Sequence, residues 1–270
     1  LKLPLPGIQK IMATFLFDEI IFGPVQSRRL GVSLGVNLLP VNVKVCSFDC
    51  IYCECGFTPK KYREKAVLPS RKEVHQKLEE KLQKMTAESQ KPDVITFAGN
   101  GEPTLHPEFA GIIDDTIELR NKLAPKARIA VLSNATMLHK PPVFNALLKV
   151  EDNIQKLDSA FEETVELLDC PRGKFNMQKV VEQLQRFNGK VTIQTLFVKG
   201  EFKGQTIDNT TEKEITGWLD LLQKIQPEQV MIYTIARDTP VNTLEKIPAE
   251  KLDTIAKRLE NEGFRVQVSY

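Results

Sequence analysis

The chain has 270 residues, 41% hydrophobic and 27% charged, with a formal net charge of +2, the make-up of an ordinary globular protein with room for one large core. No apolar run approaches the roughly 18–20 residues that cross a bilayer as a helix, and the opening LKLPLPGIQKI lacks the continuous apolar stretch of a secretion signal. The near-balanced charge decides nothing about a nucleic-acid partner, because a basic face can sit within a neutral total.

Residues 1–11 read as an added leader ahead of Met12, and residues 12–41, with their Gly, Pro and Arg, as an irregular N-terminal extension or hairpin. The main unit is expected over 42–236. NVKVCSF predicts a short strand leading into a group of cysteines. SRKEVHQKLEEKLQKM predicts a helix opened by a capping box of Ser70 and Glu73, with Val74, Leu78 and Leu82 on one face. DVITFAG, ARIAVLSN and the weaker NIQKLDS read as further strands, separated by the helical PEFAGIIDDTIELRNKL and PPVFNALLK. AFEETVELL and NMQKVVEQLQRF are helical, KVTIQTLFV is a fifth strand, and EKEITGWLDLLQKI is its helix. QVMIYTIA is a sixth strand. Residues 237–270 add a helix, AEKLDTIAKRLENEG, stopped by Gly263, and a last strand, FRVQVSY, packed on the core. Six strand–helix repeats predict an α/β fold with a parallel sheet, as an open doubly wound sheet or a curved partial barrel. In either form ligands sit at the C-terminal ends of the strands.

Four of the five cysteines fall at 46, 50, 53 and 55, and Cys170 stands apart. An odd, clustered set without a secretion signal reads as metal chemistry in the cytoplasm rather than a disulfide frame. Three close thiolates can hold three irons of a cubane and leave the fourth open to a small molecule. The alternative is a zinc site with Cys55 as fourth ligand, which lacks the second knuckle or histidine such sites use.

Cys46-x3-Cys50-x2-Cys53, with Tyr52 before the last cysteine, resembles the signature of the radical S-adenosylmethionine superfamily. The resemblance implies a [4Fe–4S] cluster on Cys46, Cys50 and Cys53, S-adenosylmethionine as second cofactor, and a partial (β/α)6 TIM-like barrel. It also implies roles at the strand ends. Gly99, Asn100, Gly101 and Glu102, followed by Pro103, match the Gly-Gly-Glu-Pro element that holds the cofactor's amino group. Ser133 and Asn134 fall where polar groups reach its ribose or carboxylate, and Lys156 and Asp158 end the next strand. Gln194, Tyr233, Thr234 and Arg237 complete the rim, and the main chain at Tyr233–Ile235 resembles the adenine-recognition segment, placing Ile235 there too.

FGPVQSRRLGVSLGVN is similar to the opening of radical proteins grouped with wyosine-base synthases, which act on tRNA. Arg28 and Arg29 within it suit a phosphate or carboxylate, and equally suit salt bridges that pin the extension. With Asp158 and Lys156 they are the candidate catalytic residues. Two departures separate the chain from those synthases: no cysteine precedes Cys46, and no basic, aromatic-studded stretch for a tRNA loop is evident. The expected function is reductive cleavage of S-adenosylmethionine to a 5′-deoxyadenosyl radical that takes hydrogen from a substrate, with a flavodoxin- or ferredoxin-type protein as reductant. A glycyl-radical activase, a tRNA-base-modifying enzyme and a non-catalytic iron–sulfur or zinc protein remain the alternatives.

Overall fold

The computed structural model describes residues 15–27, 29–61 and 66–270. Arg28 and the leader expected at 1–11 lie outside the described residues. In chain order the elements are β1 (Ile21–Ser27), β2 (Gly31–Val36), α1 (Arg71–Ala87), β3 (Val94–Phe97), α2 (Phe109–Leu123), β4 (Arg128–Ser133), α3 (Pro141–Leu147) and β5 (Asp152–Lys156). There follow α4 (Glu162–Leu168), α5 (Met177–Gln185), β6 (Thr192–Phe202), β7 (Gln205–Asp208), α6 (Glu212–Ile225), β8 (Gln229–Thr234), β9 (Glu245–Lys246), α7 (Ala249–Asn261) and β10 (Val266–Ser269).

The sheet runs β1-β2-β3-β4-β5-β6-β8-β10 and curls into a half-barrel. From β2 to β10 all neighbours are parallel, as the strand–helix alternation predicts. β6 outruns its neighbours, and its end pairs antiparallel with β7 and β9. Ser70 caps α1 by accepting from the Glu73 amide at 3.2 Å, and α7 ends just before Gly263, whose φ of +89° suits only glycine comfortably.

One expectation about the sheet needs correction. NVKVCSF forms no strand: apart from isolated bridges from Val45 to Gly101 and from Phe48 to Pro171, the segment is irregular. The first parallel strand is β2, which lies in the stretch expected to be an extension. β1 and β2 do make a hairpin, and β2 then pairs in register with β3, Leu34 beside Ile95.

Side-chain alternation sorts the strands into two faces. Ile95 and Phe97 of β3, Ile129 and Val131 of β4, and Ile193 and Phe197 of β6 point toward the helices and share the main core. Leu78, Ile113, Leu184, Leu222 and Leu259 meet them from α1, α2, α5, α6 and α7, each such burial contributing about 1.5–3 kcal/mol. The opposite, concave face carries Val94, Ala130, Ile154 and Met231, and Leu30 of the β1–β2 turn packs among them. That turn therefore plugs the N-terminal end of the half-barrel. Polar chemistry is left for the C-terminal end, where strands give way to loops.

Trp218 of α6 joins the two levels, its indole donating to the Leu157 carbonyl at 3.1 Å while its ring meets Phe197 edge-on at 5.3 Å. Trp218→Ala should cost about 3–5 kcal/mol, read as a lower urea midpoint with unchanged slope. A loss below about 1 kcal/mol would place it outside the cooperative core.

Candidate functional site: a cysteine-lined cavity at the strand ends

Residues 46–53 carry three cysteines on irregular backbone, so their amides and carbonyls must borrow partners. The loop after β3 supplies one side. The Val45 amide donates to the Asn100 carbonyl at 2.9 Å, and the Glu102 amide donates to the Val45 carbonyl at 3.1 Å. The approach is so close that a Cβ on Gly101 would stand 1.8 Å from the Val45 oxygen. The segment after α4 supplies the other side: the Ile51 amide donates to Leu168, the Asp49 amide to Asp169, and the Arg172 amide to Ser47, at 3.0, 3.0 and 2.9 Å. Arg172 also reaches Asp49 through its side chain at 3.1 Å.

Held in this way, Cys46, Cys50 and Cys53 line one cavity of about 170 Å³, and none is in a disulfide. Of the residues expected to bind cofactor, Tyr52, Gly99, Gly101 and Glu102 line it, joined by Ser133 and Asn134. Lys156, Gln194 and Tyr233 form the far wall, and Phe48, Leu132 and Ile154 supply apolar surface.

Glu102 is buried, and both its oxygens are aimed by the protein. Oε1 accepts from the Thr104 amide at 3.0 Å and from the Thr104 hydroxyl, and Oε2 accepts from the Asn134 amide at 2.7 Å. Burial raises its pKa, with the hydrogen bonds from Thr104 and Asn134 opposing. A cation placed beside it would favour the charged form. The Asn134 side-chain amide donates to Ser47 at 2.8 Å and lies 3.6 Å from the Cys46 sulfur.

Lys156, Asp158 and Tyr52 are knotted together. The lysine donates to Asp158 at 2.6 Å and to the Tyr52 hydroxyl, which in turn donates to Asp158 and, at 3.2 Å, to Asp169. Asp169 also accepts from the Cys50 thiol at 3.2 Å. Burial and the adjacent Asp158 lift Asp169 to about 7. Lys156 is raised well above its ordinary value, because Asp158 and Asp169 outweigh the burial that opposes its charge.

The thiols differ. Burial pushes Cys46 up to about 12 and, reinforced by Asp169, carries Cys50 well above the ordinary thiol range. A hydrogen bond from Cys55 draws Cys53 down to about 6. Lys44 lines the same cavity, donating to the Gly56 carbonyl at 2.6 Å and 3.8 Å from Asp49. Burial opposes its charge, but Cys53, Cys46 and Cys50 carry its pKa above the ordinary lysine value.

Several expected residues serve elsewhere. Asn100 is buried with its side chain turned from the cavity: it accepts from the Phe17 amide and donates to the carbonyls of Phe17 and Pro40. It pins the N-terminal segment. Thr234 accepts from the Ile247 amide at 2.9 Å, and Ile235 packs with the apolar group around Phe48 and Leu196. Asp158 lies behind Lys156 rather than on the wall, accepting from the Leu196 amide at 2.9 Å. Arg237 pairs with Glu54 at 2.6 Å, and Arg29 stacks over Tyr233. Sequence reasoning missed Lys44 and Asp169. A lysine inside the apolar run NVKVC was the available signal for the first. LDCPRG, set aside around Cys170, held the second.

Among the described residues no three Cys, His, Asp or Glu side chains converge tightly enough to hold a single metal ion. A cubane asks for something else, soft thiols spread around a hollow with one iron to each. The three cysteines fit that demand. Cys55 does not line the cavity with them, and its single S–H is shared between the Gly99 carbonyl at 3.5 Å and Cys53.

The sequence model of the Radical SAM superfamily matches residues 43–212, from the cysteine loop to the start of α6. The chain therefore belongs to the radical SAM superfamily. It is 30% identical over 248 residues to a UPF0026 protein of Methanocaldococcus jannaschii, covering 89% of this chain and 70% of that one. It is 29% identical over 263 residues to a Brachyspira hyodysenteriae protein named GTPase Obg, but spans only 36% of that relative's length. Among solved structures, a radical SAM methyltransferase from Sphaerobacter thermophilus superposes with TM-score 0.64 at 14% identity, over 88% of this chain and 66% of that one. Streptococcus suis SuiB bound to S-adenosylmethionine gives 0.61 at 12%, over 84% and 49%. Archaeal TYW1 gives 0.51 at 14%, over 85% and 71%. These likenesses establish a shared fold, and the wyosine-like grouping is no further advanced by them.

Asn100→Ala should destabilise the chain by about 2–4 kcal/mol, since it strands Phe17 and Pro40 backbone groups. Faster proteolysis ahead of β1 should accompany the loss, and an unchanged cleavage rate would refute the pinning role.

Proposed function

We propose that Cys46, Cys50 and Cys53 hold a [4Fe–4S] cluster whose remaining iron faces the cavity, and that S-adenosylmethionine occupies the cavity beside it. When bound, this pair supplies reductive cleavage to methionine and a 5′-deoxyadenosyl radical that takes hydrogen from a substrate. The observation that carries the reading is the meeting of three free thiols and the buried Glu102 on the walls of one cavity.

The chain's own residues divide the work by charge. Glu102, fixed by Thr104 and Asn134, accepts from the cofactor's ammonium, which favours the charged form against burial. Lys156 presents an ammonium to the cofactor's carboxylate and is oriented by Asp158, a positioning residue behind the wall. Ser133, Gln194 and Tyr233 give hydrogen-bonding surface for ribose and adenine. Phe48, Leu132 and Ile154 exclude water from the reacting centre. Lys44 offsets the charge of the thiolates. A flavodoxin- or ferredoxin-type protein delivers the electron.

Anaerobic reconstitution, reduction and incubation with S-adenosylmethionine should yield 5′-deoxyadenosine, and Cys50→Ala should abolish it along with the bound iron. Full iron and sulfide content without any 5′-deoxyadenosine would overturn the reading. Glu102→Gln should keep the iron but weaken S-adenosylmethionine binding about 10- to 100-fold, the worth of one hydrogen bond to a charged group; unchanged affinity would remove Glu102 from the ammonium site.

A further inference from the structure

Arg29 is the one residue of the SRRLG stretch that is described, charged and without a role in the cavity. It sits in the β1–β2 turn, whose next residue, Leu30, packs on the concave face among Val94, Ala130, Ile154 and Met231. The Arg29 carbonyl accepts from the Gln267 side chain of β10 at 3.0 Å. The turn thereby bridges the open side of the half-barrel, from β2 at one end of the parallel array to β10 at the other. Its guanidinium lies 4.6 Å from the centre of the Tyr233 ring. Tyr233 lines the cavity, and its hydroxyl accepts from Gln194 at 2.9 Å.

Nη1 of this guanidinium is buried and has no hydrogen-bond partner, and among the described residues no carboxylate pairs with the side chain. Other enclosed cations of the chain are satisfied. Lys156 has Asp158 at 2.6 Å, Lys44 has the Gly56 carbonyl at 2.6 Å, and Arg120 has Glu151 at 2.9 Å. A buried charge is ordinarily paired and hydrogen-bonded. An aromatic face attracts a cation but accepts no hydrogen bond in the plane of its N–H groups, so stacking on Tyr233 leaves the edge that carries Nη1 short of an acceptor. That edge matches two oxygens of a carboxylate or phosphate.

We propose that Arg29 anchors an oxyanion of the substrate, a carboxylate or phosphate group, on the concave face next to the cysteine-lined cavity. The proposal rests on the radical reading for what the anion belongs to, since a substrate held there lies beside the cofactor. Anion binding itself is independent of that reading. Tyr233 then serves both partners, its ring under Arg29 and its hydroxyl on the cavity side.

The test uses the full chain, reconstituted anaerobically, in a chloride buffer. Thermal unfolding is followed with inorganic phosphate and, separately, acetate, for the natural sequence, Arg29→Met and Arg29→Lys. One anion should raise the midpoint with saturation; phosphate as the stronger indicates a phosphate-bearing substrate, acetate a carboxylate. Arg29→Met should weaken that binding about tenfold or more, with Arg29→Lys between, as loss of a charge-assisted hydrogen bond requires. Without anion, Arg29→Met should unfold at the same temperature as the natural sequence or higher, since it removes an uncompensated charge. Three results overturn the proposal: neither anion shifts the midpoint, the shift survives in Arg29→Met, or Arg29→Met unfolds well below the natural sequence without anion, which would make the stack on Tyr233 the residue's purpose. None of these readouts involves S-adenosylmethionine cleavage, so failure here and failure of the radical reading are separately visible.

Discussion

The site depends on one constraint: a loop of irregular backbone, carrying three thiols, must have its amides and carbonyls satisfied from outside itself. The loop after β3 and the end of α4 meet that need from opposite sides, through Val45 with Asn100 and Glu102, and through Ile51 with Leu168. The clamp explains Gly101, whose missing side chain is the space occupied by the Val45 carbonyl. It also explains why Glu102 lies near the thiols: the bond that fastens the loop is made by the Glu102 amide itself. Positioning of the thiols and of the carboxylate is one structural event.

Burial then shapes the chemistry. Three thiols and three carboxylates, Glu102, Asp158 and Asp169, enclosed together would be prohibitively charged without cations, and Lys44 and Lys156 stand where that charge concentrates. Their raised pKa values record it, since attraction from thiolates and carboxylates outweighs desolvation at both. Cys53, with Cys55 donating to it, is the thiol most readily ionised, whereas Cys46 and Cys50 hold their protons until something else compensates. An iron–sulfur cluster is such a compensation, because a coordinated thiolate is stabilised by the metal directly.

Much of the architecture was legible because periodicity reports burial. DVITFAG and ARIAVLSN are apolar because both faces of β3 and β4 are covered, and the helices between them carry one apolar stripe each. The failures are also physical. NVKVCSF has strand composition, yet it makes only isolated bridges, to Gly101 in the loop after β3 and to Pro171, and its lysine is buried beside the thiols. GVSLGV reads as loop because of its glycines, but Gly35 is needed where the Phe22 ring lies over β2. The gathering of the cysteines, Glu102, Lys156, Gln194 and Tyr233 around one cavity was visible through spacing and position, whereas Thr234, Ile235 and Arg237 share the rim but turn elsewhere. Asn100 shared the motif of Glu102 but serves the N-terminal segment, and Asp169 meets Cys50 only through the fold, across 119 positions. No local pattern encodes such a distance.

The central claim is that the three thiols present a cluster with one iron open to the cavity. Electron paramagnetic resonance of the reconstituted, reduced chain tests it most directly, before and after S-adenosylmethionine is added. The account predicts a reduced [4Fe–4S] signal whose g-values shift on addition, as the open iron takes up the cofactor. A cluster signal that stays unchanged at saturating S-adenosylmethionine would contradict it.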